Sequence, residues 1–263
     1  MSASISFHVA IPARHGSTRL PGKVLAPIHG KPMLQWVYER ARGSGARDVL
    51  IATDDEAILT AAAAFGATAR MTSFAHASGT DRLAELAAIE HWPDADIVVN
   101  VQGDEPLIPP AIIRQAASLL ESDPEAAIAT LATPVESLAE FLDPNAVKVV
   151  ADSSGRALYF SRAPIPWNRD GAPSGLPSQQ VFAGARRHVG IYAYRVDALR
   201  RWASLAPTAL ERTEKLEQLR ALENGLVIRV ADAQERPGPD VNTAEDLERV
   251  AKLLRDGGLP GLQ

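Results

Sequence analysis

Short apolar runs alternate with stretches of helical periodicity over the first half of the chain. The strands that the apolar runs predict lie at 5–11, 48–53, 67–71, 97–101 and 126–133. The helices predicted between them lie at 33–41, 56–65, 81–90 and 111–121. The run at 97–101 is apolar except for Asn100, as expected of a parallel strand buried on both faces. This alternation predicts βαβ units in a three-layer α/β fold with a mostly parallel sheet.

The pattern changes after Pro134, where turn-forming residues become frequent. Three further strands are predicted to pair antiparallel beside a long exposed loop at 168–177, and they lie at 147–150, 157–160 and 189–194. We expect one domain over residues 1–257, with a small antiparallel subdomain at about 134–200 that serves the substrate site and dimerisation, and a tail at 258–263.

The last part of the chain returns to helix. Thr208 and Glu211 have the spacing of a capping box, which predicts one helix from Thr208 to the stop signal at Asn224 and Gly225. A strand at 226–230 and a helix at 243–254 follow.

The composition is that of an ordinary globular domain, with 46% hydrophobic and 22% charged residues among 263. The formal net charge of −5 argues against a nucleic-acid partner, which requires a basic surface. The chain has no cysteine, which excludes disulfides and thiolate metal sites and fits a reducing compartment. No apolar run approaches the ~18 residues of a membrane span, and the first run lacks the basic flank of a signal peptide. We therefore expect a cytoplasmic protein without a membrane partner.

The first predicted strand leads into the loop 12–23, which is rich in cations, glycines and hydroxyl groups. Glycines let backbone N–H groups approach oxyanions, and Arg or Lys side chains neutralise them, so this loop is a candidate phosphate site. It is neither a Walker A loop, because Val24 stands where Ser or Thr is needed, nor a dinucleotide fingerprint. A solvated basic turn is the alternative.

Two carboxylates, Asp104 and Glu105, follow the strand at 97–101. The carboxyl ends of parallel strands lie at one edge of the sheet, so this pair is expected beside the loop 12–23. Oxygen ligands next to phosphates indicate Mg²⁺, for which Asp104 is a sufficient first anchor. A turn with a solvated acidic tip is the alternative.

The segment 76–82 leads into the start of a helix, where free N–H groups and the helix dipole favour a phosphate or nucleotide. Ser78 and Thr80 are equally well explained as ordinary N-caps.

These loops resemble the nucleotide half of the CMP-Kdo synthetases, a family of sugar nucleotidyltransferases, through the strings IPARHGSTRLPGKVL, ATDD, HASGTDR and VNVQGDEP. The second half of the chain resembles the same family through NAVKVV, YFSRAPIPWNR, RHVGIYAYR, LEQLRALENG and VNTAEDLERV. The resemblance implies a nucleotide-diphospho-sugar-transferase-like fold and a homodimer. It implies that CMP passes from CTP to the anomeric hydroxyl of Kdo (3-deoxy-D-manno-octulosonate) for lipopolysaccharide synthesis, with Mg²⁺ as cofactor.

The resemblance also implies roles for individual residues on the nucleotide side. Those expected to hold the CTP phosphates are Arg14, Ser17 and Lys23, and those expected near the nucleotide are Ser78, Asp81 and Arg82. Asp104 is expected on Mg²⁺. The family carries an aspartate ligand where this chain has Asn242. Two interpretations are open: Asp240 supplies the missing charge beside a neutral oxygen of Asn242, or it lies solvated beside the turn at 237–239 without a role. Asn242 is also expected to cap the last helix, with Glu245 three residues on.

On the sugar side the resemblance implies contacts from Gln102, Arg162, His188, Tyr192, Glu217 and Gln218. A carboxylate suits the guanidinium of Arg162, and hydroxyl groups suit Glu217 and Tyr192. Each has a simpler explanation: His188 as a structural strand histidine, Glu217 and Gln218 as the solvated side of a helix, and Arg162 and Tyr192 as an ordinary surface cation and edge-strand aromatic.

Two other functions remain open at this point. One is a related cytidylyl- or uridylyltransferase for another acidic or amino sugar, and the other is a nucleotide-binding module without catalysis. Pyrophosphate release separates the second from an enzyme.

Overall fold

The computed structural model describes residues 5–14, 16, 20–76, 78–171, 174–175 and 180–255. Its first half contains the strands β1 (His8–Ala13), β2 (Pro27–Ile28), β3 (Lys31–Pro32), β4 (Asp48–Thr53), β5 (Thr68–Met71), β6 (Ile97–Asn100) and β7 (Ile128–Pro134). The helices of this half are α1 (Met33–Gly43), α2 (Glu56–Ala64), α3 (Gly79–Ile89) and α4 (Pro110–Glu121), with a 3₁₀ turn at Lys23–Leu25.

The second half contains α5 (Leu138–Leu142), β8 (Lys148–Ala151), β9 (Ala157–Ser161), β10 (Arg186–Arg195) and α6 (Val196–Ala203). It ends with α7 (Ala209–Glu214), α8 (Gln218–Glu223), β11 (Ile228–Asp232) and α9 (Ala244–Arg255). The alternation predicted from the sequence is confirmed, with bounds that shift by a few residues. The short helices α5 and α6 were not predicted.

One sheet organises the chain, with the strand order β11-β7-β10-β6-β1-β4-β5. β1 pairs in parallel with β4 and β6, whereas β10 runs antiparallel between β6 and β7. β8 and β9 extend the antiparallel part from β10, as the change of pattern after Pro134 predicts. The chain leaves β1 towards β4 and later returns to β6 on its other side, so the strand order reverses at β1 and β6. Ligands bind at the carboxyl ends of the strands at such a point.

Helices cover both faces of the sheet and make the three layers. Residues of α1, α2, α4 and α9 form one core with Val9, Ile11 and Val99, and residues of α3, α6 and α8 form the other core with Ala10 and Val98. The two cores share the buried strands β1 and β6, whose successive side chains point to opposite faces. No helix among the described residues is long and apolar enough to cross a membrane.

The prediction of one helix from Thr208 to Asn224 is wrong. The capping box of Thr208 and Glu211 is present, but α7 ends at Glu214 and the chain turns at Lys215, whose φ of 55° is left-handed. α8 begins again at Gln218, after Glu217. Helix propensity and the leucine spacing favour continuity here, so tertiary contacts set the break.

The predicted cap of the last helix is also wrong by one residue. The Thr243 hydroxyl accepts the N–H of Asp246, and the Asp246 carboxylate accepts the N–H groups of Asn242 and Thr243. α9 therefore begins after Thr243 rather than Asn242, and the side chain of Asn242 contacts Asp240 instead.

Candidate active site

The loops after β1 and β6 lie against each other at the carboxyl edge of the sheet. Val101 donates its N–H to the carbonyl of Ala10, which continues the pairing of β6 with β1. A Cβ atom on Gly103 would lie 3.1 Å from the carbonyl oxygen of Pro12, so glycine permits this close approach. The phosphate loop and the acidic loop predicted from the sequence are therefore neighbours.

The ammonium group of Lys23 lies among three oxygen atoms from two distant parts of the chain. It donates to Asp104 Oδ2 at 2.6 Å, to the carbonyl of Val241 at 2.8 Å and, at 3.4 Å, to Asn242 Oδ1. Val241 in turn donates its N–H to the carbonyl of Asp104 at 2.9 Å. The segment before α9 is thus fastened to the acidic loop, with a cation between them.

Negative charge accumulates around Asp104. Burial, together with the neighbouring charges of Asp104 and Asp240, raises the pKa of Glu105 to about 8. Asp240 accepts a hydrogen bond from the side-chain amide of Asn242, so these two side chains lie on the same side of the chain, as predicted. The proximity of these carboxyl groups therefore disfavours a further negative charge on Glu105.

The start of α3 forms a second wall. Ser78 caps the helix by accepting the N–H of Asp81, and Arg82 donates to Thr72 and Asp54 at 2.5 and 2.6 Å. The simple N-cap explanation of Ser78 is therefore correct. Ser78 and Arg82 also line a cavity of about 170 Å³, termed the side cavity, with Pro12, Ala13, Arg14, His76, Gly79, Gln102 and Glu217.

A larger cavity of about 430 Å³, termed the main cavity, adjoins the side cavity and shares Gly79, Gln102 and Glu217 with it. Its other lining residues are Thr80, Asn100, Asp104, Glu105, His188, Gly190, Tyr192, Tyr194, Trp202, Lys215, Leu216, Gln218 and Asp240. Polar and aromatic side chains dominate the lining, and their donors and acceptors suit a ligand with many hydroxyl groups.

Glu217 lies where the two cavities meet because the chain breaks between α7 and α8. Its carboxylate accepts a hydrogen bond from the Thr80 hydroxyl at 3.1 Å, which ties α8 to α3. Burial raises the pKa of Glu217, and the bond from Thr80 opposes that rise. In a continuous helix this residue would be on the solvated side, so the wrong helix prediction and the simpler explanation of Glu217 fail together.

His188 and Tyr192 both come from β10, on either side of a bulge between Val189 and Tyr192. The two rings are 5.1 Å apart, and both line the main cavity. Burial lowers the pKa of His188 to about 3, so the imidazole is neutral. The Thr130 hydroxyl contacts the Ile191 carbonyl at 2.6 Å and therefore accepts at 2.9 Å from Nε2 of His188.

The structure places Arg162 outside the main cavity. Its guanidinium donates to the backbone carbonyls of Glu214, Lys215 and Pro144, and the Glu214 carboxylate accepts the N–H of Arg162. The side chain lines a neighbouring open groove that Asp240 also reaches. Arg162 thus holds the end of α7 and the turn at Lys215, rather than facing the other predicted sugar contacts.

Most of the predicted residues line the two cavities or contact a residue that does. Lys23 and Asn242 line neither cavity, but Lys23 contacts both Asp104 and Asn242. Arg162 is in the groove, Asp81 lines neither cavity, and Ser17 lies outside the described residues. Among the described residues there is no group of three or more His, Cys, Asp or Glu side chains placed to hold a metal ion. Mg²⁺ requires only one or two protein carboxylates when phosphates and water complete its shell. The oxygens that surround the Lys23 ammonium fit such a hard cation.

The prediction missed Asn100, Tyr194, Lys215 and Trp202. Asn100 had a signal, since it is the polar residue in an otherwise apolar strand. Tyr194 and Trp202 had none, because aromatic residues in a strand and a helix are usually core residues.

Comparisons with known proteins agree on one family. A sequence model described as "Cytidylyltransferase" matches residues 8–231. A 3-deoxy-manno-octulosonate cytidylyltransferase of Thioalkalivibrio sulfidiphilus is 53% identical over 95% of this chain and 100% of its own length. One from Pseudomonas fluorescens is 55% identical over 95% of this chain and 99% of its own length.

Solved structures give the same result. A CMP:2-keto-3-deoxy-manno-octonic acid synthetase complexed with CTP is similar at a TM-score of 0.85 and 42% identity, over 97% of this chain and 100% of that one. A cytidylyltransferase of Leptospira borgpetersenii shares the fold alone, at a TM-score of 0.59 and 17% identity, over 95% of this chain and 87% of that one.

Proposed function

The chain belongs to the cytidylyltransferase family, and on that premise we propose that it transfers CMP from CTP to the anomeric hydroxyl of Kdo. The products are pyrophosphate and CMP-Kdo, an activated sugar for lipopolysaccharide synthesis. The relatives that support this substrate pair match 95% of the chain at 53% and 55% identity.

The observation that carries the proposal is the junction of the two cavities at Gly79, Gln102 and Glu217. The side cavity offers Arg14, Arg82 and the start of α3 to a nucleotide. The main cavity offers Tyr192, Glu217 and Gln218 to a sugar. A nucleotide α-phosphorus and a sugar hydroxyl would meet at the junction, where orientation alone accounts for a large part of the rate.

The charges of the site support Mg²⁺ as the cofactor. Among the described residues, the lining of the main cavity contains one cationic side chain, Lys215, and four carboxyl groups, those of Asp104, Glu105, Glu217 and Asp240. Both proposed substrates are anions, so their binding requires further positive charge. Asp104 would hold the ion, with Asp240 and the amide oxygen of Asn242 beside it. A bound Mg²⁺ neutralises phosphate charge and orients the triphosphate.

The residues of the chain bind, orient and neutralise. Lys23 and Arg14 belong to the loop after β1, which is the proposed phosphate site. Their positive charges therefore stabilise the negative charge that develops on the leaving pyrophosphate. His188 is neutral and rigidly held, so it acts as a hydrogen-bonding group and not as a charge. Arg162 supports the turn that carries Lys215 and Glu217.

The test is pyrophosphate release from the purified protein with Mg²⁺, each nucleoside triphosphate in turn and a panel of 2-keto sugar acids. The proposal predicts turnover with CTP and Kdo well above every other pair. Preference for UTP or for an amino analogue of Kdo would assign a related transferase, and CTP binding without turnover with any acid would assign a binding module.

A homodimer and a cytoplasmic location belong to the same proposal. Among the strands that the structure describes, β9 pairs with β8 alone, and its Leu158 is 62% exposed, so this edge offers both backbone groups and apolar surface to a second copy. Analytical ultracentrifugation of the wild type and of Leu158→Glu tests the dimer. The cysteine-free sequence and the use of CTP favour the cytoplasm, which cell fractionation tests.

A further inference from the structure

Three buried polar atoms in the wall of the main cavity have no hydrogen-bond partner in the described part of the chain. One is Oε2 of Glu105, which belongs to the acidic loop already described, and the other two are Oδ1 of Asn100 and Nε1 of Trp202. Asn100 is 2% exposed and Trp202 is 1% exposed, so bulk water does not compensate them. A buried polar group without a partner is costly, and such groups are rare in folded proteins.

Both side chains are held firmly by their surroundings. Asn100 ends β6, where its backbone is paired with Ala10 of β1 on one side and Tyr192 of β10 on the other. The Trp202 ring packs edge-on against Tyr194 at 6.3 Å, and the Arg220 guanidinium lies over it at 5.5 Å. Neither side chain can turn away to find a partner without disturbing the core, so both atoms are preorganised for something that enters the cavity.

The chemistry of the pair specifies the ligand group. Asn100 Oδ1 only accepts hydrogen bonds, and the indole N–H only donates them. A ligand that bonds both atoms must offer a donor to Oδ1 and an acceptor to Nε1; hydroxyl groups offer both, whereas a phosphate or carboxylate oxygen offers no donor. Trp202 lines the main cavity but not the side cavity, which places the pair on the acceptor side of the junction.

We propose that Asn100 and Trp202 form a subsite that binds non-reacting hydroxyl groups of the acceptor sugar and so contributes to its selection. The inference rests on the proposed function, because it assumes that a polyhydroxylated acid occupies the main cavity. A site built to bond a hydroxyl rejects an analogue that lacks it, since its buried atoms then stay unpaired.

The test compares Trp202→Phe, which keeps an aromatic ring but removes the N–H group, with Asn100→Leu and with a matched control, Trp92→Phe. Trp92 is buried against His8 at the opposite edge of the sheet and lines neither cavity. We expect the Michaelis constant for Kdo to rise about tenfold in each of the first two variants and to stay unchanged in the control. The Michaelis constant for CTP should change less than twofold in all three.

The wild type provides a second, independent readout. Its kcat/KM should fall at least tenfold for one of the single-deoxy analogues of Kdo, and Trp202→Phe or Asn100→Leu should reduce that discrimination. If the wild type turns over Kdo but treats every deoxy analogue alike, or if both variants keep their affinity for Kdo, the two atoms bond only water and the subsite does not exist. Absence of turnover in the wild type would instead overturn the proposed function.

Discussion

At the residue scale, the electrostatics of the site depend on a few oppositely charged side chains that lie close together. Lys23 lies at 2.6 Å from Asp104, with its side chain 12% exposed and that of Asp104 26% exposed. Such a partly buried pair is screened less by salt than a surface pair. The ammonium group can therefore neutralise the carboxylate in the free protein and phosphate in the complex.

Replacing Lys23 by alanine should lower kcat by a factor on the order of 100, because a charge aimed at the developing pyrophosphate is lost. Steady-state kinetics with CTP and Kdo measure the effect, and circular dichroism checks the fold. Lys31→Ala is the matched control, since Lys31 pairs with Glu39 on the surface. Near-normal turnover in Lys23→Ala would show that Lys23 does not stabilise the phosphates.

Glu105 makes the stability of the metal-free protein depend on pH. Its pKa is raised from 4.5 to about 8 in the folded state, so the folded protein holds a proton that the unfolded chain has released. Its contribution to stability is therefore complete below about pH 4.5 and is lost as the pH rises towards 8.

Glu105→Gln cannot ionise and should escape this loss. In the presence of a chelator, the difference in Tm between Glu105→Gln and the wild type should grow in favour of the variant from about pH 5 to 8 and then level off. Glu248→Gln, a change at an exposed glutamate of α9, is the control. A difference that does not vary with pH would mean that Glu105 is ionised throughout this range.

At the element scale, the break between α7 and α8 brings Glu217 into the site. Glu211 and Arg220 join the two helices through a buried bidentate pair, at 2.9 and 2.5 Å, and Arg162 binds the carbonyls at the end of α7. The sequence predicted the capping box and the final stop signal correctly. It did not predict the break, because Arg162 is far away in the chain and residues 208–224 alone favour a continuous helix.

Glu211→Gln should raise the Michaelis constant for Kdo severalfold, because the angle between α7 and α8 sets the position of Glu217. It should also lower the free energy of unfolding by about 3 kcal/mol, since the buried Arg220 loses its counter-charge and one of its two acceptor oxygens. Kinetics and urea denaturation measure the two effects, with Asp123→Asn, which breaks the distant pair with Arg229, as control.

A double mutant separates positioning from a general loss of stability. In a Glu217→Gln background, Glu211→Gln should add little to the Michaelis constant for Kdo, because the group that it positions is already changed. Additive effects would show that Glu211 acts on the site by another route.

At the scale of the whole molecule, the site exists because segments that are far apart in the sequence meet at one edge of the sheet. The alternation of strands and helices predicted this edge and the loops after β1 and β6, since topology follows from local pattern. It did not predict that Val241 bonds Asp104, or that Trp202 reaches the main cavity. Contacts of that kind depend on how helices pack after the sheet has formed, and no local pattern encodes them.

The charge supplied by the last segment gives a prediction at this scale. Asp240→Asn should raise the Mg²⁺ concentration needed for half-maximal rate, and Asn242→Asp should lower it, because each changes the negative charge beside Asp104. Asp104→Asn should abolish activity. Asp232→Asn, at the exposed end of β11, is the control. An unchanged Mg²⁺ dependence in Asp240→Asn would show that Asp104 and the substrate phosphates bind the ion without a contribution from Asp240.

The most direct test of the central claim is phosphorus NMR of the wild-type protein with CTP, Mg²⁺ and Kdo. Transfer of CMP predicts that pyrophosphate and one new phosphodiester resonance grow together and in equal amounts, while the α-phosphorus signal of CTP falls by the same amount. Consumption of CTP without a phosphodiester to the sugar, or no consumption at all, would contradict it.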